Sequence, residues 1–303
     1  MKRDLLGIKQ TSKEDLETIL ARAKDMKKIV LSDNKKIPTL SGKTVVTMFY
    51  ENSTRTRMSF ELASKYMGAS AANMTAKGSS VAKGENLLDT ARTIDRMGTD
   101  IMIIRHEMSG APHLVAPAVK ASVVNAGDGM NEHPTQALLD AFTMIEKKGA
   151  VAGLKVAIIG DIYHSRVARS NIYLLNKLGA EVSVGGPSTL LPHGLEQLGV
   201  KVFKSIHEAI VDADVVMCLR IQLERQKSGL FPSVREYNRF FGLDDVRLKF
   251  AKPDAFIMHP GPVNRGVELS STLVDSEMSV IDEQVTNGVA VRMSIMDWIM
   301  GGR

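Results

Sequence analysis

The feature that most constrains the fold is an alternation, repeated along most of the chain, of short β-branched apolar runs with amphipathic segments. Runs such as TVVTMFY and KVAIIG have the composition of buried strands, and the segments between them have helical spacing. Strands that alternate with helices are typical of βαβ units, in which the strands are parallel. The pattern predicts strands near the following residues: 44–50, 70–74, 101–104, 122–125, 155–160, 181–186, 200–203, 214–219 and 255–258.

The length of 303 residues exceeds what one hydrophobic core usually organises, so two domains are expected. The segment HPTQALLDAFTMIEKKG, residues 133–149, predicts a long helix that joins two halves. We therefore predict an α/β fold of two doubly wound parallel-sheet domains: residues 1–149 with a C-terminal helix at 285–303, and residues 150–284. Open parallel sheets bind ligands beyond the carboxyl ends of their strands, so one active site is expected in the cleft between the domains.

Composition narrows the class of partner. Lysine and arginine number 39 against 34 acids, a net charge of +5, and these cations are dispersed rather than grouped with aromatic residues. Dispersed positive charge favours small anions over nucleic acid. No apolar run of about 18 residues is present, and the N-terminus lacks the apolar core of a secretory signal. The single cysteine, Cys218, is expected to be a buried thiol, and a cytoplasmic location is expected for the protein.

The stretch FYENSTRTRMSFELA, residues 49–63, places two arginines at a predicted helix start. Ser53 suits the N-cap, and Arg55 and Arg57 occupy the first turn, where the helix dipole disfavours cations. A helix start with N–H groups, hydroxyls and arginines suits a phosphate group, because the anion removes the repulsion. The alternative is a capped surface helix with incidental arginines. The spacing also predicts that Met58, Leu62 and Tyr66 form its buried face, with Gly68 ending the helix.

These residues resemble the carbamoyl phosphate motif of the transcarbamylases, the family of aspartate and ornithine carbamoyltransferases. The resemblance extends over nearly the whole chain, in order and at the family's spacing. Seven motifs in register indicate a common fold and chemistry. The six further motifs are Lys83-Gly84-Glu85, Arg105-His106-Glu107, His133-Pro134-Thr135-Gln136, Arg220-x-Gln222-x-Glu224-Arg225, His259-Pro260-Gly261-Pro262 and EQVTNGVAVRM.

The resemblance implies that an amine attacks the carbonyl carbon of carbamoyl phosphate and releases phosphate, a step of pyrimidine biosynthesis when the amine is that of aspartate. It implies no covalent enzyme intermediate, no cofactor and no metal. The residues implied as catalytic are Arg55, Thr56, Arg105 and His133. Those implied to bind carbamoyl phosphate are Ser53, Thr54, Arg55, Thr56, Ser79, Arg105, His133, Gln136, Gly261 and Pro262, with Ser80 as an adjacent candidate.

The second half indicates which branch of the family the chain resembles. The signatures of the ornithine branch, Asp-x-Trp-x-Ser-Met-Gly and His-Cys-Leu-Pro, are absent, since the only tryptophan is Trp298 and Pro260 follows His259. Arginine matches a carboxylate bidentately, so two arginines suit aspartate and disfavour the cationic side chain of ornithine. The residues implied to bind aspartate are Lys83, Arg166, Arg220 and Gln222. Ornithine or a related amino acid is the alternative acceptor.

In the family the GSSVAKGE loop, residues 78–85, reaches the active site of a neighbouring subunit. The resemblance therefore implies a homotrimer with shared active sites, with regulatory chains or a dihydroorotase as possible partners, and no nucleic acid or membrane. A solvated surface loop is the alternative interpretation of this segment. For His133 the alternative is a histidine packed in the core.

Two rival functions remain to be weighed. KVAIIGDIYHSR could be a dinucleotide site, but it lacks G-x-G-x-x-G, and Asp161 stands where pyrophosphate would need a glycine. A non-catalytic anion-binding or scaffold protein of the same fold is a further alternative. Against it, Arg55, Lys83, Arg105 and His133 are all present together.

Overall fold

A computed structural model describes residues 2–75, 84–222 and 233–301. Five residues of the motifs fall elsewhere in the chain: Ser79, Ser80, Lys83, Glu224 and Arg225 lie outside the described residues. Contacts between Cα atoms divide the chain into two compact units, one of Met1–Phe142 with Val285–Arg303 and one of Thr143–Gln284.

Every pairing between the named strands of the described residues is parallel, as predicted. The α/β class with two doubly wound sheets is therefore confirmed. The strands are β1 Thr44–Phe49, β2 Ser70–Thr75, β3 Ile101–His106, β4 Ser122–Asp128, β5 Lys155–Ile159, β6 Glu181–Gly185, β7 Lys201–Phe203, β8 Val215–Cys218 and β9 Phe256–Met258.

Helices occupy most of the segments between the strands. The α-helices are α1 Lys13–Leu31, α2 Thr54–Tyr66, α3 Leu87–Arg96, α4 Ala111–Val115, α5 Pro134–Lys148, α6 Arg166–Leu178, α7 Ile206–Ile210, α8 Val234–Phe241, α9 Asp245–Leu248, α10 Ser271–Val274 and α11 Ile281–Ile299. Short 3-10 helices add Ala116–Ala118, Ser188–Leu190 and Leu195–Leu198. Among the described residues, none of these helices has both the length and the hydropathy that a bilayer-spanning helix needs.

The sheet of the first unit has the strand order β2-β1-β3-β4. The chain moves outward from β1 to β2 and then returns to the other side of β1, so the topological switch point lies between β1 and β3. The register pairs Phe49 with Arg105, and β1 and β3 therefore end side by side. The side of β4 away from β3 is extended by the N-terminal segment, where Leu5 donates its N–H to the carbonyl of Val123 at 2.9 Å.

The sheet of the second unit has the order β7-β6-β5-β8-β9, so its switch point lies between β5 and β8. Here the register pairs Ile159 with Cys218. Buried aliphatic side chains of β5, β8 and β9 pack against α7 and form the core of this unit. Cys218 is fully buried among them, as expected, and burial raises the pKa of its thiol.

The buried face of α2 differs from the predicted one. Met58 is 44 % exposed, and Leu62 and Tyr66 are only partly buried, so that prediction was wrong. The face that packs inward carries Phe60, Ala63 and two small polar residues instead. Both faces show the same spacing of three to four residues, and hydrophobicity alone could not choose between them. Small residues such as Ala63 allow α2 to pack closely, and this outweighs the larger apolar stripe.

Candidate active site

The loop from β1 into α2 carries the predicted phosphate motif. Ser53 has extended backbone angles, and its hydroxyl accepts the N–H of Thr56 at 3.4 Å, which confirms Ser53 as the N-cap. The first turn contains no acid. Thr54 and Arg55 are exposed, whereas Thr56 is 6 % exposed. The helix dipole, the cap hydroxyl and the arginine thus give this edge of the sheet a positive potential that suits an anion.

Arg105 lies at the end of β3, across the switch point from this loop. Its Nη2 donates to Oε1 of Glu51 at 2.7 Å, and its Nη1 donates to the carbonyl of Ala126 at 3.2 Å. Because the Arg105 side chain is only 11 % exposed, these contacts fix the direction of the guanidinium. An arginine has five N–H donors in a planar fork, so the same group can hold protein acceptors and a substrate oxygen together.

His133 immediately precedes α5, and its side chain approaches that of Arg105. Its Nε2 lies 3.5 Å from Nη1 of Arg105, and its Nδ1 lies 3.4 Å from the Thr135 hydroxyl. An arginine can only donate, so Nε2 accepts in this contact; a neutral imidazole then carries its proton on Nδ1 and donates to the Thr135 hydroxyl, which can accept. Gln136 follows on the first turn of α5, is 8 % exposed, and donates its Nε2 to Asp140 at 2.9 Å.

Sequence reasoning gave no role to Glu51 or Asp140, which contact Arg105 and Gln136. Both could have been found. Glu51 is the acid directly after β1, inside the motif stretch itself. Asp140 stands four residues after Gln136, the spacing at which glutamine and aspartate side chains meet on a helix.

His106, next to Arg105, has a structural role. Its ring lies 4.8 Å from the ring of Tyr50, and its Nδ1 accepts the N–H of Met108 at 2.9 Å. Burial lowers the pKa of His106, although the nearby acids Glu107, Glu51 and Asp128 oppose the shift. His106 is therefore neutral at pH 7, and Met108 N–H requires its Nδ1 to be the unprotonated nitrogen.

In the second unit, Arg166 begins α6 directly after β5. Ser165 caps this helix by accepting the N–H of Ala168 at 3.0 Å, and the first turn again contains no acid. Arg166 is only 4 % exposed. Just before it, His164 Nδ1 lies 2.9 Å from Oδ1 of the fully buried Asp161, which orients the imidazole. Asp161 thus fills the turn where a dinucleotide site needs glycine.

The ends of β8 and β9 supply the other predicted residues of this unit. Arg220 and Gln222 follow β8 and are half-buried on either side of the buried Ile221. After β9, Gly261 donates its N–H to His259 Nδ1 at 2.8 Å, and a cis peptide bond joins Gly261 to Pro262. The φ of Gly261 is +67°, a conformation that L side chains rarely adopt, which explains the glycine between the prolines.

The same turn is held from the other side by Glu268. Its Oε1 lies 3.2 Å from His259 Nε2 and accepts the N–H of Asn264 at 2.6 Å. Since Gly261 N–H requires an acceptor at Nδ1, His259 carries its proton on Nε2 and donates to Glu268. His259 therefore holds a turn. In the parts of the chain that the structure describes, no group of three or more His, Cys, Asp or Glu residues could hold a metal ion.

The fold and the strand ends define a class: a two-unit, parallel α/β protein with arginines at the switch point of each sheet. Residues 3–146 match the family model for the carbamoyl-P binding domain of aspartate/ornithine carbamoyltransferases, and residues 152–299 match that for the Asp/Orn binding domain. The chain belongs to the aspartate/ornithine carbamoyltransferase family and is a carbamoyltransferase. The resemblance drawn from the seven motifs is thereby confirmed.

Relatives of this chain cover it almost completely. The aspartate carbamoyltransferase catalytic subunit of Acetivibrio thermocellus is 70 % identical over 97 % of this chain and 94 % of its own length. That of Caldanaerobacter subterraneus is 60 % identical over 98 % of this chain and 97 % of its own.

Solved structures match with similar coverage. The ornithine carbamoyltransferase of Pyrococcus furiosus covers 100 % of this chain and 98 % of its own, with 31 % identity and a TM-score of 0.88. The aspartate transcarbamoylase of Trypanosoma cruzi in complex with N-(phosphonacetyl)-L-aspartic acid covers 97 % and 95 %, with 30 % identity and a TM-score of 0.87. The fold is thus common to both branches.

Proposed function

We propose that this chain transfers the carbamoyl group of carbamoyl phosphate to the α-amine of L-aspartate, giving N-carbamoyl-L-aspartate and phosphate, a reaction of pyrimidine biosynthesis. The observation that carries the acceptor is the pair of arginines, Arg166 and Arg220, at the switch point of the second sheet. Two arginines match the two carboxylates of aspartate. The name that the relatives in Acetivibrio and Caldanaerobacter share supports the same acceptor.

The phosphate of the donor is bound by the start of α2. Ser53, Thr54, Arg55 and Thr56 hold it, and Arg55 stabilises the oxygen that departs with it. The absence of an acid from this turn supports the assignment.

The carbonyl oxygen gains negative charge as the amine attacks, and Thr56, Arg105 and His133 stabilise it. The guanidinium held by Glu51 and Ala126 is preorganised, which is the property that makes an oxyanion site effective. Gln136 and the backbone carbonyl of Pro262, beside Gly261, receive the carbamoyl NH₂. Residues 1–149 with 285–303 thus act as the carbamoyl phosphate-binding domain.

Residues 150–284 act as the aspartate-binding domain. Arg166 and Arg220 bind the carboxylates of aspartate, with Gln222 beside them. Lys83 reaches phosphate and aspartate together, and Ser79 or its neighbour Ser80 contacts phosphate. The amine must lose a proton during the transfer, and the departing phosphate can accept it, which requires no further protein base.

The protein acts as a cytoplasmic homotrimer in which residues 78–85 of one subunit complete the site of the next. The test mixes two inactive variants, Lys83→Ala and Arg105→Ala, and measures activity after confirmed exchange of subunits. Recovered activity supports shared sites, because some mixed sites carry neither substitution. No recovery contradicts them. Association with regulatory chains or a dihydroorotase is tested by co-purification of the trimer from its own cells.

The reaction itself is tested by product identity. Purified protein is incubated with ¹⁴C-carbamoyl phosphate and either L-aspartate or L-ornithine, and the labelled products are separated. Carbamoyl-aspartate alone is expected. Citrulline would overturn the role given to Arg166, Arg220 and Gln222 while retaining the phosphate site. No product from either amine would favour a scaffold protein, which binding of carbamoyl phosphate without turnover would identify.

A further inference from the structure

In the first unit, the side chain of Gln136 is hydrogen-bonded to a carboxylate in the protein interior. Gln136 Nε2 donates to Oδ1 of Asp140 at 2.9 Å, one turn further along α5. Gln136 is 8 % exposed and Asp140 is fully buried. Hydrogen bonds of this kind between residues four apart hold a glutamine side chain in one rotamer.

The contact also settles which way the amide of Gln136 faces. A carboxylate can only accept hydrogen bonds, so the NH₂ end of the amide must face Asp140. The carbonyl oxygen of Gln136 therefore faces away from Asp140. An oxygen held in this direction is an acceptor for an N–H group and cannot become a donor without breaking the bond to Asp140.

A buried cation on α11, Arg292, attracts the carboxyl group of Asp140. Burial lowers the pKa of Arg292 to about 10, and the attraction of Asp140 opposes that shift. Arg292 therefore stays charged at pH 7. A buried carboxylate facing a cation remains ionised, whereas an unpaired one takes up a proton and becomes a donor as well as an acceptor.

The position of Arg292 is itself fixed by two contacts. Its Nη1 donates to the carbonyl of Gly288 at 2.8 Å, and its guanidinium lies 5.1 Å from the centre of the Phe60 ring. A Cβ atom on Gly288 would lie 2.7 Å from this Nη1, so the glycine leaves the space that the guanidinium fills. Arg292 is thus a built part of the interior of the first unit.

We propose that Asp140 is a positioning residue that makes the site select a carbamoyl group over an acyl group of the same shape. The inference rests on the proposed function, in which the Gln136 oxygen receives the carbamoyl NH₂. Acetyl phosphate replaces that NH₂ by a methyl group, which cannot donate. An oxygen held rigidly in the site is left without a partner by the methyl group, and a buried unpaired acceptor opposes binding.

The test compares two quantities in the same assay with L-aspartate: kcat/KM for carbamoyl phosphate and the inhibition constant of acetyl phosphate as its competitor. In Asp140→Asn the new amide can donate to the Gln136 oxygen and turn it away. We expect kcat/KM for carbamoyl phosphate to fall by about tenfold or more, the loss of one good hydrogen bond. The inhibition constant of acetyl phosphate should change by less than about twofold, so the preference for carbamoyl phosphate falls.

Two controls separate positioning from loss of structure. Asp297 is also a buried carboxylate bound to an arginine, since Arg22 Nε donates to its Oδ2 at 2.9 Å, and Asp297→Asn should leave the preference unchanged. In a Gln136→Ala background, Asp140→Asn should have no further effect on the preference, because its intermediary is gone. Asp140→Glu keeps the negative charge but moves the carboxylate oxygen that accepts from Gln136. It replaces Asp140→Asn as the test variant if Asp140→Asn does not fold.

The outcomes separate this inference from the function on which it rests. No carbamoyl-aspartate from the wild-type protein would overturn the proposed function. A wild-type enzyme that forms carbamoyl-aspartate, together with an unchanged preference in a folded Asp140 variant, would overturn the inference alone. Equal losses with Gln136 present and absent would also overturn it, because Asp140 would then act by another route.

Discussion

Helix α2 in the first unit and helix α6 in the second both follow the first strand of a sheet, and both begin after a serine cap. Each carries arginine and no acid in its first turn. The two arginines differ in burial, however. Arg55 is exposed, whereas Arg166 is 4 % exposed.

This difference corresponds to two kinds of task. An exposed arginine at a helix start creates a positive potential that attracts a phosphate group from solvent. A buried arginine is held in one geometry by its surroundings and can discriminate between ligands, because its planar fork matches a carboxylate. In the proposed function, the first unit therefore supplies attraction and catalysis, and the second supplies the choice of acceptor.

At the amino ends of their strands, the two sheets are held together by equivalent hydrogen bonds. Asp100 precedes β3 and accepts the N–H of Thr44 at 2.8 Å, at the start of β1. Asp214 precedes β8 and accepts the N–H of Lys155 at 2.9 Å, at the start of β5. Each aspartate thus ties together the two strands that flank a switch point. The units share a scaffold at one edge and differ in chemistry at the other.

Arg105→Ala should have the largest effect. We expect kcat to fall by about 10²–10³, the loss on removing one oxyanion donor, with folding retained. Steady-state kinetics with both substrates measures the change. Arg92→Ala is the matched control, since Arg92 is an exposed arginine of the same unit whose partner is Asp89 at 3.6 Å. Full activity in Arg105→Ala would remove the first unit from the chemistry and end the division of labour proposed above.

Arg220→Lys should change the acceptor side alone. The charge remains but the bidentate fork is lost, so KM for aspartate should rise by about 10- to 100-fold, the worth of a hydrogen bond between charged groups. KM for carbamoyl phosphate should stay within about twofold. The control is Arg265→Lys, at an exposed arginine paired with Asp275 at 2.6 Å. Equal rises in both KM values would contradict a separate acceptor edge.

The sequence predicted each strand that the described residues contain, and most of these strands are compact apolar runs bounded by polar residues, although β2, SAANMT, is largely exposed. The face of α2 was missed for a physical reason. Met58 and Phe60 belong to two stripes of equal helical spacing, and the packing that chooses between them depends on small residues such as Ala63. Periodicity reports that a helix is amphipathic but not which of two similar faces is buried.

The motifs predict the residues that are proposed to touch a substrate, whereas the residues that hold those side chains carry weaker sequence signals. Ser53 and Arg105 belong to contiguous motifs in which the residue types themselves indicate the chemistry. Glu51, Asp140 and Glu268 act through contacts with Arg105, Gln136 and His259. The sequence signals for Glu51 and Asp140 are their positions, directly after β1 and four residues after Gln136, whereas the contact of Glu268 with His259 arises only in the folded chain.

Asp214→Asn tests how much the aspartate at the start of the second sheet stabilises its unit. Although burial opposes it, the hydrogen bonds from Lys252 and the Lys155 N–H lower the pKa of Asp214 below its ordinary value of 3.8. A lowered pKa stabilises the fold above the unfolded value, and this contribution is lost as pH falls through the folded one. At pH 7 the variant should lose about 2 kcal/mol. Below pH 3.8 the difference from wild type should shrink as Asp214 becomes protonated.

Hydrogen exchange locates this effect. Asp214→Asn should raise amide exchange in β5 and β8, and Asp100→Asn should raise it in β1 and β3, since each carboxylate accepts from the first strand of its own sheet. Exchange that rises equally in both sheets for either variant would show that the two edges do not stabilise their units separately.

Glu51→Gln should have the smallest effect of these variants. It should strengthen the binding of an anion rather than weaken a function. Glu51 partly neutralises Arg105 through the 2.7 Å contact, and glutamine keeps an acceptor there without the charge. Removing one negative charge a few ångströms from an anion changes its binding by about 1 kcal/mol. Inhibition by phosphate should therefore become about fivefold tighter, and the gain should shrink with added salt. Glu61→Gln, at a carboxylate paired with Lys65, is the control. Unchanged or weaker phosphate binding in Glu51→Gln would mean that Glu51 only orients Arg105, and that the exposed start of α2 alone sets the attraction.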